Sequence, residues 1–162
     1  MRAFVAVGAN LGDRWARLVE AARSLRAAPG VAVVRASRVW DAEPVGPPQP
    51  RYLNAVLELE TTRTPTSLLA LLQEIERAAG RRRDVRWGAR TLDLDLLLVG
   101  KLQVRAPGLE LPHPRIADRR FVLAPLAELV PELRVPGIGR NVGALLEDAP
   151  PLDLAPAGAY PL

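Results

Sequence analysis

Two amphipathic helical stretches set among four strand-like runs, in the order strand, helix, strand, strand, helix, strand, predict an α+β fold. Its antiparallel sheet would carry both helices on one face. Three observations carry this expectation: a seven-residue apolar run at the start, strict alternation from Tyr52 onward, and two stretches with apolar spacing of three and four. At 162 residues, 17.6 kDa and 49% hydrophobic, the chain has the size and composition of one domain, read as residues 1–162.

Residues 2 to 8, RAFVAVG, are apolar on both faces and suit a central strand; GANLGDR then forms a glycine-bearing turn. Trp15, Leu18, Val19, Ala22 and Leu25 keep helical spacing until Pro29-Gly30. The valine-rich segment 31 to 40 reads as a second strand. AEPVGPPQP, from 42 to 50, sustains no regular element and is long enough to be a functional loop. In YLNAVLELE, Leu53, Ala55, Leu57 and Leu59 alternate with Tyr52, Asn54, Val56 and Glu58, so the third strand has one partly polar face. Thr64-Pro65 opens the second helix, Leu68, Leu71, Leu72, Ile75 and Ala79 form its stripe, and Gly80 stops it. TLDLDLLLVG is the fourth strand. The whole matches the ferredoxin-like, split βαβ arrangement, with the second sheet face left for a ligand. Past Gly100 come C-terminal additions: short strand pieces near 102 to 111, helices at Leu123 to Leu129 and about Val142 to Glu147, and a proline-rich tail, 148–162, expected to be irregular.

Composition excludes several chemistries. With no cysteine there is no disulfide, thiolate zinc site or cysteine nucleophile, and a single histidine, His113, supplies no two-histidine metal site. Any metal rests mainly on carboxylates. No apolar run approaches the ~20 residues that span a bilayer, so a cytoplasmic protein without membrane contact is expected. The formal charge is +4, and residues 81 to 90, RRRDVRWGAR, hold five arginines against one aspartate and so account for all of it. Such concentration suits a clamp for a compact polyanion, guanidinium matching phosphate oxygens two at a time; a solvated loop is the plain alternative.

Asp93 and Asp95 stand two apart in the fourth strand, on one face and about 7 Å apart at the backbone, with Leu92, Leu94, Leu96 and Leu98 opposite. Like charges this close repel unless a cation lies between them. Oxygen-only donors favour magnesium shared with nucleotide phosphates, the other reading being a solvated polar face. An acid pair directly after an arginine loop is what phosphoryl or diphosphoryl transfer requires. The usual phosphate loop, G-x-x-x-x-G-K-[ST], is missing, and GIGRNVG at 137 to 143 lacks dinucleotide spacing. Tyr52 and Asn54 on one strand face pair a stacking ring with an amide, which suits a flat heterocycle. Phe121 serves equally as an opposite wall or as core, and His113 between two prolines as a phosphate contact or an ordinary loop residue. Trp87, a large ring in a charged segment, needs something to cover it.

These motifs together resemble the 6-hydroxymethyl-7,8-dihydropterin pyrophosphokinase family, whose members move the terminal diphosphate of ATP onto a pterin alcohol in folate biosynthesis. The resemblance runs through FVAVGANLGDR, EPVGPPQPRYLNAV, GRRRDVRWGARTLDLDLLL and LPHPRIADRRFVLAPLAEL, in that order, covering nearly all but the tail. It implies that Asp93 and Asp95 coordinate two magnesium ions bridging the ATP phosphates. It implies a pterin between Tyr52 and Phe121, its edge read by Asn54 and by backbone near Ala42 and Val45. Arg81, Arg83, Arg90, His113 and Arg119 match positions that hold or neutralise phosphates, Arg81 and Arg90 next to the reacting groups. Gln73, Glu76, Trp87 and Leu96 match the nucleotide pocket. The loops at 42–50 and 81–90 would close as lids over ATP and 6-hydroxymethyl-7,8-dihydropterin, in a monomer. Ala9, Ala42, Ala89 and Glu110 depart from the family's usual residues, none in the acid pair. The rival class is a nucleic-acid-binding ferredoxin-like module stacking bases on Tyr52, against which stand only seven aromatic residues in the chain.

Overall fold

The computed structural model describes residues 1–80 and 92–162. Its elements in chain order are β1 (Arg2–Ala9), α1 (Arg14–Ala27), β2 (Val31–Ala36), β3 (Val39–Ala42), β4 (Tyr52–Thr61), α2 (Pro65–Ala78) and β5 (Asp93–Val99). After these come β6 (Val104–Ala106), β7 (Leu109–Leu111), α3 (Arg120–Leu129), α4 (Val142–Asp148) and β8 (Leu154–Gly158). The helix starts follow from their caps: the Asp13 carboxylate accepts from the Ala16 N–H and the Thr64 hydroxyl from the Ser67 N–H, each at 3.1 Å. Gly30 and Gly80, at φ of 77° and 81°, make the left-handed turns that follow α1 and α2.

The main sheet runs β5-β1-β4-β3-β8, with β2 also paired to β4, and every pairing is antiparallel. Since β1 and β2 both oppose β4, they are parallel to each other with β4 between them: the expected split βαβ. One face packs Ala3, Val5 and Val7 against Leu18, Leu25, Leu68 and Leu72 of α1 and α2. The second face is not wholly open. Phe4, Ala6 and Val56 meet Leu123 and Leu126 of α3 and Leu145 of α4, so the C-terminal additions cover part of it. Among the described residues, space remains beside Gly8, Tyr52, Asn54, Asp93 and Asp95.

Four expectations need correction. The strand at 31–40 is two, because Ala36 faces Leu57 and Trp40 faces Asn54, four steps against three. Ser37 absorbs the extra residue: its N–H donates to the Val56 carbonyl and its hydroxyl accepts from the Val56 N–H, both at 2.9 Å. The leucine alternation after the acid pair also breaks. Phe4 pairs with Leu98 but Val5 with Leu96, which leaves Leu97 as a bulge. Leu97 and Leu98 therefore both join the α3 side, and Val99 returns to the other. The tail at 148–162 is not irregular throughout: at Leu154–Gly158 β8 pairs with β3, and the buried Tyr160 donates its hydroxyl to the Leu18 carbonyl at 2.7 Å. Finally, Trp15 is 36% exposed rather than part of the helix's buried stripe, which consists of Leu18, Ala21, Ala22 and Leu25.

Ser37→Ala would strand the buried Val56 N–H, at a cost of about 1–3 kcal/mol readable in urea unfolding. Glu58 on β4 is 6% exposed. Burial pushes its carboxyl up, but the bonds from Arg35 and Arg2 outweigh this and hold it below the ordinary 4.5. Its folded-state value being the lower, its contribution is present at neutral pH and is lost as pH falls from about 4.5 through that value. Glu58→Gln is expected to flatten this acid limb of stability, as measured by urea midpoints between pH 7 and 3.

Candidate active site

The open part of the sheet owes its shape to a taper along β1. On the α3 side this strand carries Phe4, then Ala6, then Gly8. Gly8 pairs with Asn54 of β4 and Asp93 of β5; Ala6 pairs with Val56 and Asp95. With strands ~4.8 Å apart, Asp93 and Asn54 stand about 10 Å from each other across a glycine. A Cβ on Gly8 would lie 3.0 Å from Asn54 Oδ1 and 3.7 Å from Tyr52 Cδ1, so only glycine leaves that floor clear. The result is a recess of about 460 Å3.

Its walls come from two loops. Glu43, Val45, Pro47 and Gln49 line one side, and His113, Arg115, Asp118, Arg119 and Phe121 the other. The first wall is tied inward by the buried Asn10, whose amide donates to Gln49 Oε1 at 3.0 Å and to the Pro50 carbonyl at 3.2 Å. Gln49 Oε1 also receives the Tyr52 hydroxyl at 3.5 Å. The second wall hangs on the bulge: the His113 N–H donates to the Leu97 carbonyl at 2.9 Å. Arg119 lies between acid and ring, its Nη1 3.5 Å from Asp95 Oδ2 and its guanidinium carbon 5.6 Å from the Phe121 centroid.

His113 is held below its ordinary basicity. Burial lowers its basicity most; Asp95 opposes that, Arg119 and Arg115 add to it, and Glu110 opposes it. Its Nδ1 accepts from the Arg115 N–H at 3.1 Å, so the ring proton sits on Nε2, as a donor.

Of the residues singled out in the sequence, the recess gathers Val45, Tyr52, Asn54, Asp93, Asp95, His113, Arg119 and Phe121. Four lie elsewhere. Ala42 is buried at the end of β3, and Gln73 is exposed on α2. Glu76 is 4% exposed and accepts from the Leu94 N–H at 3.0 Å, which satisfies the outer edge of β5 beside the acid pair. Leu96 packs into the core under α1 and α2. Arg81, Arg83, Trp87 and Arg90 fall outside the described residues. Gly8, Asn10, Glu43, Gln49, Arg115 and Asp118 were not singled out. The descending side-chain size of Phe4, Ala6 and Gly8 is the signal that points to Gly8, whereas nothing local marks Glu43 or Asp118.

A family model described as 7,8-dihydro-6-hydroxymethylpterin-pyrophosphokinase matches residues 4–131. A 2-amino-4-hydroxy-6-hydroxymethyldihydropteridine pyrophosphokinase of Pseudomonas aeruginosa is 43% identical over 150 residues, 92% of each chain. One of the same name from Bacillus subtilis is 44% identical over 128 residues, 78% of this chain and 77% of that one. Among solved structures, an HPPK-DHPS in complex with substrates superposes with a TM-score of 0.73 at 10% identity, covering 90% of this chain and 42% of that longer one, a likeness of fold. The matched residues take in the acid pair, the glycine floor and both walls of the recess, and the chain belongs to the 7,8-dihydro-6-hydroxymethylpterin-pyrophosphokinase family.

Proposed function

We propose that this chain transfers the terminal diphosphate of ATP to the hydroxymethyl group of 6-hydroxymethyl-7,8-dihydropterin, releasing AMP, as a step of folate biosynthesis. The observation that carries the reading is the meeting in one recess of the rings of Tyr52 and Phe121 and the Asn54 amide with the carboxylates of Asp93 and Asp95 and the guanidinium of Arg119. Tyr52 and Phe121 suit the two faces of a pterin. Asn54, buried at the floor, has the donor and acceptor to read its edge, and Val45 with the backbone near Ala42 would line the same side.

The donor set fits magnesium. Among the described residues no group of three or more histidine, cysteine or carboxylate side chains gathers around a point, so Asp93 and Asp95 would hold a cation only together with phosphate oxygens, the usual mode of magnesium with nucleotides. Two such ions, when bound, would neutralise charge on the bridging phosphates. The protein's own share is orientation and charge. Asp93 and Asp95 would hold the polyphosphate through the bound cations, Arg119 offers its guanidinium beside Asp95, and His113 donates through Nε2. Arg81, Arg83 and Arg90 are assigned to the same phosphates, and Gln73, Glu76, Trp87 and Leu96 to the nucleotide side, Glu76 and Leu96 by shaping β5. In the reaction the hydroxymethyl oxygen bonds to the β-phosphorus as the bond from that phosphorus to the AMP oxygen breaks. Asp95 or solvent takes the alcohol proton.

The reading includes a monomer acting in the cytoplasm, with residues 1–162 as one unit. No helix among the described residues is long and apolar enough to cross a membrane.

Incubation with ATP, magnesium and the reduced pterin alcohol, each omitted in turn, is expected to release AMP only from the complete mixture; ADP, or AMP without the alcohol, would sink the proposal. Asp95→Ala is expected to lower turnover by about a hundredfold or more. Its half-exposed contact with Arg119 is worth about 0–1 kcal/mol, so the unfolding midpoint should barely move. Gly8→Ala pushes on Asn54 Oδ1. It should raise KM for the pterin alcohol roughly three- to tenfold, the worth of one neutral hydrogen bond, with KM for ATP unchanged in steady-state assays.

A further inference from the structure

We infer that Arg51 is a positioning residue: its guanidinium staples both ends of the loop bordering the pterin side of the recess to the start of the C-terminal strand β8. Thus the chain's last residues set how far the recess opens. The inference rests on the function proposed above and deepens it.

The loop between β3 and β4 leaves the sheet after Ala42 and rejoins it at Tyr52. At its start, the Glu43 N–H donates to the Asp153 carbonyl and the Asp153 N–H donates to Glu43 Oε1, both at 2.9 Å. At its end, Arg51 reaches back with every nitrogen of its fork. Nε donates to Asp41 Oδ1 at 2.6 Å, Nη2 to the Asp41 carbonyl at 3.3 Å, Nη1 to Asp153 Oδ2 at 3.2 Å, and Nη2 to the Asp153 carbonyl at 3.5 Å. From below, Arg14 Nη1 donates to the Arg51 carbonyl at 3.2 Å and lies 3.6 Å from Asp41 Oδ2. One planar cation therefore joins the end of β3, the first residue before β4 and the first before β8. Lysine, a point donor, cannot reproduce that fork.

The contacts are at the surface: the side chains of Arg51, Asp41 and Asp153 are 43%, 32% and 74% exposed. Exposed ion pairs add little to global stability. Held at the loop's two feet, however, they limit what lies between them, and that span carries Val45, Pro47 and Gln49 into the recess. Loss of the staple should appear as easier local opening and weaker pterin capture, with no change in unfolding midpoint. The staple's contacts all fall at the feet of the loop on the pterin side, so the effect should be selective.

The test compares the full-length wild type with Arg51→Ala, Arg51→Lys and Asp153→Ala, reading KM for each substrate, the thermal midpoint, and amide hydrogen exchange of residues 44–49. Arg51→Ala is expected to raise KM for the pterin alcohol roughly fivefold and speed exchange at 44–49, with KM for ATP and the midpoint unchanged. Lysine should not rescue it, and Asp153→Ala should move both readouts the same way by a smaller factor. The double variant should add little to Arg51→Ala alone, since the two side chains share one contact. Unchanged exchange and pterin KM in a folded Arg51→Ala overturn the staple, as does an equal rise in both KM values. Should Arg51→Ala not fold, the exposed Asp153→Ala decides by the same two readouts. A wild type that transfers nothing to the pterin alcohol sinks the functional reading, while exchange at 44–49 still decides the staple.

Discussion

The position of β1 between β4 and β5 is the constraint on which the rest depends. Cross-strand pairing fixes which side chains stand side by side, and here it puts the smallest residue of the strand, Gly8, between an amide and a carboxylate. A shift of one residue in either pairing would turn Asn54 or Asp93 to the helical core. The hydrophobic face prevents this: Ala3, Val5 and Val7 are fully buried against α1 and α2, and their alternation locks the register. The same packing that stabilises the domain thus spaces its candidate site.

A second layer of control lies in the bulge at Leu97. It bends β5 just past the acid pair and releases a carbonyl from the ladder, which holds the backbone of His113. The wall carrying Arg115, Arg119 and Phe121 follows from that anchor. Glu76 supports the outer edge of β5 nearer the acid pair, where its carboxylate takes the Leu94 N–H. Both supports act on backbone, so the strand bearing the two aspartates is held at two points without drawing on their carboxylates.

Much of this was legible in the sequence. Helical spacing in 64–80, alternation in 52–60 and the Asp-Leu-Asp parity each follow from a single period, and the observed elements keep them. Asn54 and Tyr52 were readable as one face for the same reason. The break at Ser37, the bulge at Leu97 and the staple at Arg51 were not, because each depends on a partner far along the chain: Val56, Phe4 and Asp153. Periodicity is blind to such pairings. It also misled at Leu98, where one extra residue reverses parity, and at 148–162, where proline density hides a strand that only an edge position permits. The arginine-rich segment's contribution to phosphate binding rests on its residues alone.

The edge position of β8 has a bearing on solubility. Without it, the outer side of β3 would offer a row of unpaired amides and carbonyls to any passing strand. With it, the boundary is formed by a strand whose middle residue, Pro156, has no amide hydrogen to offer. The segment that closes the sheet is therefore also a poor template for intermolecular growth, a safeguard against aggregation built from the least regular-looking part of the chain.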